Sequence, residues 1–290
     1  MLESSIEFIR CVRCGSKLEL DVFKYGKEIE EGFLKCKKCN LIFPIIEKIP
    51  ILWNDFSEYL SHRKVLSGII YKSVISETLK KFVKSSLSKI KKFNNDRTSL
   101  EKRWSIIYQN SKDSKFYSHV KNNLNSMIYS NFVLEYGCSI GMMTSWLADS
   151  NQMVFGIDRS YSAISHAKKT YKDNLDYVVA DSLSPVFGKL QFDLILALNV
   201  LELIEPILFL KQVSGQISSG YFIITDPYDF DRDVNSVKTP LDESTLRITL
   251  ENLGFKLMPK TRKPSFIPWN LKLNTRSTLN YKVDLVIGKK

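Results

Sequence analysis

The chain has 290 residues, 44% hydrophobic and 25% charged, with a formal net charge of +11. That supports one large or two smaller domains with a sizeable core, and it argues against wholesale disorder. The richest apolar run, residues 192–210, is broken by Asp193, Asn199, Glu202, Glu205 and Pro206, so no transmembrane segment is expected; the opening MLESSIEF lacks a signal pattern, so a cytoplasmic protein is.

Residues 1–55 read as a small metal-binding domain. Cys11-x2-Cys14 and Cys36-x2-Cys39 are two thiolate pairs separated by 21 residues. Each knuckle places two sulfurs on one tight turn, and two knuckles complete a tetrahedral shell for zinc. A closed shell leaves no position for water, so the expected role is structural, with disulfides as the alternative. Between the knuckles, Lys17 to Phe33 fits either a β-hairpin or a short helical excursion. The run LIFPIIEKIPIL, residues 41–52, is punctuated by Pro44 and Pro50 and reads as an edge strand or extended segment. Knuckle, Phe-Pro-Ile and Ile-Pro-Ile-Leu together resemble the zinc-ribbon activator subunits of tRNA and release-factor methyltransferases. In that family the ribbon stabilises a methyltransferase partner and does no chemistry itself.

Residues 56–130 form a basic connector. Val65, Ile69, Ile70, Val74, Leu79, Phe82, Val83, Leu87, Ile90 and Phe93 recur near every 3.6 residues, which predicts one long amphipathic helix. Its polar face collects Lys72, Lys80, Lys81, Lys84, Lys89, Lys91 and Lys92. FNNDRTS marks a break, with Asp96 or Thr98 as the next cap. A second helix through Trp104 and Tyr108 and a third over residues 115–129 follow. His62 to Asn125 holds 15 Lys/Arg against 4 Asp/Glu, which equals the whole net charge. Such a concentration points to a polyanionic partner, RNA ahead of acidic protein or an anionic membrane surface, with a merely solvated lysine face as the alternative.

Residues 131–290 read as an α/β domain organised around FVLEYGCSIGMMTSWLA, residues 132–148: a buried strand, a glycine turn and a helix. Gly137, Ser139 and Met142 fall on the glycine positions of a dinucleotide fingerprint, so that pattern fails. Glu135, Gly137, Ser139 and Gly141 instead resemble the E/D-x-G-x-G-x-G motif of class I S-adenosylmethionine-dependent methyltransferases, with serine in the central place. The resemblance implies that this turn cradles the amino-acid end of the cofactor and that Glu135 serves its ammonium group. MVFGID ends at Asp158, followed by Arg159, where one carboxylate can accept from both ribose hydroxyls. YVVAD ends at Asp181, beside Ser182, which by the family pattern accepts from the adenine amino group. FDLILAL leads to Asn199, and the NVLELIEP that follows resembles the family's N-V-L-E-H-I segment with Leu203 in place of histidine.

The last elements are a strand ending in Asp226-Pro227-Tyr228, a helix capped by Thr239 or Asp242 and stopping near Gly254, and two edge strands from FKLM and NYKVDLVIG. An insert between those strands, PSFIPWNLKLNTRS, is placed over the substrate side. Tyr228, Trp269 and Arg276 are the substrate-contact candidates, Trp104, Tyr108, Phe116 and Tyr117 the lid candidates by resemblance, and Cys138 a small pocket residue. No catalytic base is assigned. The fold expected is therefore α/β: a Rossmann-like seven-stranded methyltransferase sheet with an N-terminal four-cysteine zinc ribbon and a helical connector. The function expected is methyl transfer to RNA or protein. The alternatives are an imidazole-type small-molecule N-methyltransferase and a non-catalytic RNA-binding module with a vestigial cofactor site.

Overall fold

The computed structural model describes residues 1–290 except 92, 94, 95, 125, 126, 128, 129 and 234–236. Lys92 of the expected basic face, Asn125 at the end of the basic segment and Tyr129 at the expected end of the third helix lie outside the described residues. The order is β1 Glu19–Tyr25, β2 Ile29–Cys36, β3 Leu41–Ile46, β4 Ile49–Leu52, α1 Phe56–Ser61, α2 Lys64–Ser73, α3 Glu77–Leu87, α4 Arg97–Asn110 and α5 Lys115–Leu124. There follow β5 Phe132–Tyr136, α6 Met142–Leu147, β6 Met153–Asp158, α7 Tyr161–Ala167, β7 Leu175–Ala180, β8 Leu194–Leu198, α8 Pro206–Gly215 and β9 Tyr221–Asp226. The chain closes with α9 Glu243–Asn252, β10 Lys256–Leu257, β11 Ile267–Lys272 and β12 Thr278–Lys289. Among the described residues no helix is long and apolar enough to cross a membrane.

The chain forms two compact units. The first comprises Met1–Ile106, Ser139–Gly141 and Asp158–Gly188, and the second Ile107–Cys138, Met142–Ile157 and Lys189–Lys290.

In the first unit β1 to β4 form an antiparallel meander, and β4 then runs parallel to β7 with Ile51 opposite Val179 and Leu52 opposite Ala180. The segment between the knuckles is thus a hairpin. The proline-punctuated run is two strands rather than one edge segment, because Glu47 and Lys48 both take positive φ, 49° and 73°, and fold it back in a tight turn. The single long helix is also corrected: α2 and α3 are separated by Val74 to Ser76. Glu31 on β2, 4% exposed, explains the break, its two carboxylate oxygens accepting the Ile75 and Ser76 amides at 2.7 and 2.8 Å. Periodicity along a helix carries no information about a carboxylate 44 residues away. Asp96 caps α4 as anticipated, accepting from the Thr98 amide at 2.8 Å, while its other oxygen takes the Val65 amide. Glu28, Lys168 and Asp176 form a buried ionic cluster that ties the residue before β2 to the C-cap of α7 and to β7, with Lys168 Nζ 2.6 Å from Asp176 Oδ1.

In the second unit the sheet order is β6-β5-β8-β9-β12-β10, the first four strands parallel and β12 antiparallel to β9 and to β10. β5, β8 and β9 are nearly continuous in burial, as strands covered on both faces must be. Asp242, not Thr239, caps α9, in a capping box with Thr245. The insert expected over the substrate side is β11, paired along its length with β12 and alternating buried and exposed. Its Trp269 is 2% exposed and packs on Phe116, Tyr108 and Tyr281. Trp269, Tyr108 and Phe116 are therefore one aromatic core cluster.

Candidate metal centre and cofactor site

The ligand sulfurs of Cys11, Cys14, Cys36 and Cys39 all lie within 4.8 Å of one another, and none is in a disulfide. Zinc–sulfur bonds of about 2.3 Å would set tetrahedral sulfurs about 3.8 Å apart. The Cys14 and Cys36 sulfurs, at 3.5 Å, already approach that spacing. Four thiolates, with no histidine or carboxylate among them, fit a structural zinc ion.

The turn from β5 to α6 has φ of +65° at Gly137, +49° at Ser139 and +74° at Gly141. A Cβ on Gly137 would sit 2.6 Å from a Val200 methyl, and one on Gly141 would sit 2.3 Å from the Tyr177 hydroxyl. Both glycines are thus required by backbone conformation and by contact. Ser139 adopts the left-handed conformation that a glycine in the motif's central place takes without strain. The missing glycine therefore changes the cost of the turn, not its path.

In the first unit Asp158 is joined to this turn: its Oδ2 accepts the Ser139 amide at 2.9 Å and its Oδ1 the Ser160 amide at 2.8 Å. Burial raises its pKa above the usual aspartate value, and the two amides and the charges of Arg159 and Arg63 only partly offset that. Each oxygen has a second lone pair with which to accept from a hydroxyl. Asp181 ends β7 one residue beyond its last position, half-buried, and its Oδ1 accepts the Leu183 amide at 2.8 Å; Ser182 is half-buried beside it.

In the second unit Glu135 is 3% exposed and accepts the Thr144 hydroxyl. Tyr117 of α5 has its phenol pushed up by burial and, after that, by the nearby Tyr108 and Glu135 charges, so it stays protonated. Asn199, at φ +57°, donates its amide to the Thr225 carbonyl and accepts the Thr225 hydroxyl at 2.9 Å. Tyr228, at φ +55°, donates its hydroxyl to Asp284 at 2.9 Å, and Asp284 also binds Arg247 at 2.6 Å. Its ring is thereby tied into a structural ion pair. Arg276 is exposed in the turn joining β11 to β12. Cys138 is buried, with its amide bonded to the Ile157 carbonyl.

The structure thus brings Ser139 and Asp158 into direct contact, and it spreads Tyr228, Trp269 and Arg276 over a buried ion network, an aromatic core and an exposed turn. Sequence reasoning missed Thr144, Arg247 and Asp284. Thr144 alone left a trace, since it follows Glu135 within the motif stretch.

The parallel strands and the glycine turn that follows β5 are those of a Rossmann-like methyltransferase fold. Residues 133–214 match the family model described as a methyltransferase domain, and residues 5–47 the model described as Trm112p-like protein. The chain thus carries a methyltransferase domain over residues 133–214 and a Trm112p-like zinc ribbon over residues 5–47. Among solved structures it is similar to a chain of the complex between the Haloferax volcanii Trm112 methyltransferase activator and a methyltransferase, with TM-score 0.54 and 15% identity, over 67% of this chain and 96% of that one. That likeness concerns the fold alone. Magnesium protoporphyrin IX methyltransferase from Synechocystis PCC 6803 gives 0.49 and 15% over 67% and 95%, and an N-methyltransferase from Bradyrhizobium japonicum WM9 gives 0.47 and 17% over 61% and 98%. No curated protein matches the chain.

Proposed function

We propose that the chain transfers the methyl group of S-adenosylmethionine to a macromolecule, RNA or protein, held by the basic helical segment, with the zinc ribbon as a structural module. The organisation into ribbon, connector and catalytic domain, divided near residues 55 and 130, belongs to this reading, as does a cytoplasmic setting. The observation that carries the cofactor assignment is the Asp158 carboxylate bonded to the Ser139 amide of the glycine turn. Gly137, Ser139 and Gly141 let the main chain approach the cofactor closely, and Glu135 receives its ammonium group. Asp158, with Arg159 beside it, accepts the ribose hydroxyls; Asp181 and Ser182 serve the adenine, and Asn199 completes the set.

When bound, the cofactor supplies a methyl group on a sulfonium, a leaving group that is already activated. The protein's own work is then alignment and exclusion of water. No side chain is assigned as a base. The macromolecular acceptor is supported by the exposure of Lys64, Lys72, Lys81, Lys84, Lys89 and Lys91 on one basic segment. Lys80 and Lys121 are half-buried, and Arg63 is buried against Glu101.

Tritiated methyl transfer from the cofactor into cell extract, fractionated into RNA, protein and metabolites, tests this reading. Label in the RNA or protein fraction is the expected outcome. Label confined to metabolites would replace it with the small-molecule alternative. Failure of S-adenosylhomocysteine to bind would leave the vestigial-site alternative.

A further inference from the structure

Arg63 is a cation with 2% exposure in a segment whose other basic residues largely face solvent, and the cofactor assignment above does not use it. It sits with its guanidinium carbon 4.0 Å from the centroid of the Tyr59 ring, which is 1% exposed. Its Nε and Nη2 donate to Glu101 of α4, the closest contact being 2.6 Å. Both side chains also reach one main-chain atom: Tyr59 Oη donates to the Arg159 carbonyl at 3.1 Å and Arg63 Nη2 to the same oxygen at 3.3 Å. The Tyr59 oxygen in turn accepts the Tyr161 amide at 3.2 Å. One phenol therefore brackets residues 159–161 from the α1 side, while Asp158 holds the Ser160 amide from within.

We infer that Tyr59 and Arg63, with Glu101 behind them, position the Asp158 carboxylate for a ribose diol, so that the helical connector takes part in cofactor recognition. This rests on the reading of Asp158 as the ribose acceptor. Tyr59 and Arg63 are positioning residues: their bonds go to the main chain that follows Asp158, and nothing assigns them contact with the cofactor. A carboxylate accepting from two vicinal hydroxyls has little tolerance for rotation, because displacement that shortens one bond lengthens the other. The bracket removes that freedom before the ligand arrives, which lowers the ordering cost of binding. It also links the segment leaving the zinc ribbon to the affinity of the cofactor site.

Isothermal titration of the full zinc-loaded chain with S-adenosylhomocysteine and with its 2′,3′-dideoxy counterpart tests the inference. Tyr59→Phe, which keeps the ring, should weaken S-adenosylhomocysteine about five- to twentyfold, as expected for one or two lost hydrogen bonds, and change the dideoxy ligand by no more than about twofold. Glu101→Gln should act in the same direction with a smaller loss. Equal losses for both ligands would make the bracket purely structural and overturn the inference, as would unchanged affinities in both variants. Asp158→Ala separates the two levels: wild-type affinity there would refute the ribose assignment itself, and the inference with it. A loss in Asp158→Ala without one in Tyr59→Phe and Glu101→Gln would refute the bracket alone.

Discussion

Replacing Gly141 by alanine perturbs the glycine turn at its most crowded point. At φ +74° a Cβ costs about 1–2 kcal/mol in backbone strain. The added carbon would lie 2.3 Å from the Tyr177 hydroxyl, 2.7 Å from its Cζ and 2.8 Å from the Ala167 Cβ. Tyr177 is 1% exposed, so it has nowhere to swing, and overpacking of this kind costs about 1–3 kcal/mol. The displaced hydroxyl also loses its 3.3 Å bond to the Gly141 carbonyl, worth about 1 kcal/mol. Gly141→Ala should therefore destabilise by about 3–6 kcal/mol, read as a lowered urea midpoint with unchanged slope. Gly15→Ala is the comparison within the same unit: φ is +69° and no atom lies within 4 Å of the added carbon, so only the strain of about 1–2 kcal/mol applies. Adding Tyr177→Phe to Gly141→Ala removes the nearest atom and should recover part of the loss. A Gly141→Ala variant no less stable than Gly15→Ala, or no recovery with Tyr177→Phe, would refute the steric argument.

Removing zinc with a chelator, or changing Cys14 to serine, should lower thermal stability and, for the variant, zinc content measured by metal analysis; full retention of both in Cys14→Ser would rule out the four-thiolate site. Trp269→Ala should cost about 3–5 kcal/mol by chemical denaturation, since it empties the centre of the aromatic cluster, whereas a substrate-contact role alone would leave stability near wild type. For Asp176 and Asp284 burial opposes ionisation, but Lys168 and Arg247 with their hydrogen bonds outweigh it and hold both carboxyls below the usual aspartate range. Their stabilisation is thus present above about pH 3.9 and lost as pH falls toward the folded-state values. Urea midpoints should drop on acidification below that value, and by less in Asp284→Asn, whose own starting stability is lower.

The metal centre was legible because two knuckles are local: each pair of sulfurs is placed by a turn of four residues, and only their meeting is tertiary. The glycine turn was legible for the same reason, including the serine in its central place, although sequence alone did not reveal that Ser139 keeps the left-handed backbone. The burial of Trp269 was not legible, because an aromatic residue in a loop-like insert looks available, while strand pairing of β11 with β12 turns it inward. Arg63 entered the charge of the basic segment like any other cation because charge is a property of composition and burial is not.

By itself, then, the sequence determined the two cysteine knuckles, the glycine turn and the acidic strand ends, all set by contacts within a few residues or by the short apolar runs of buried strands. Only the tertiary structure decided where the long amphipathic stretch breaks, that β4 adds to β7, and that Tyr59, Arg63 and Glu101 gather behind Asp158. Those outcomes depend on partners tens of residues away, such as Glu31 at the α2–α3 break, and no local pattern encodes them.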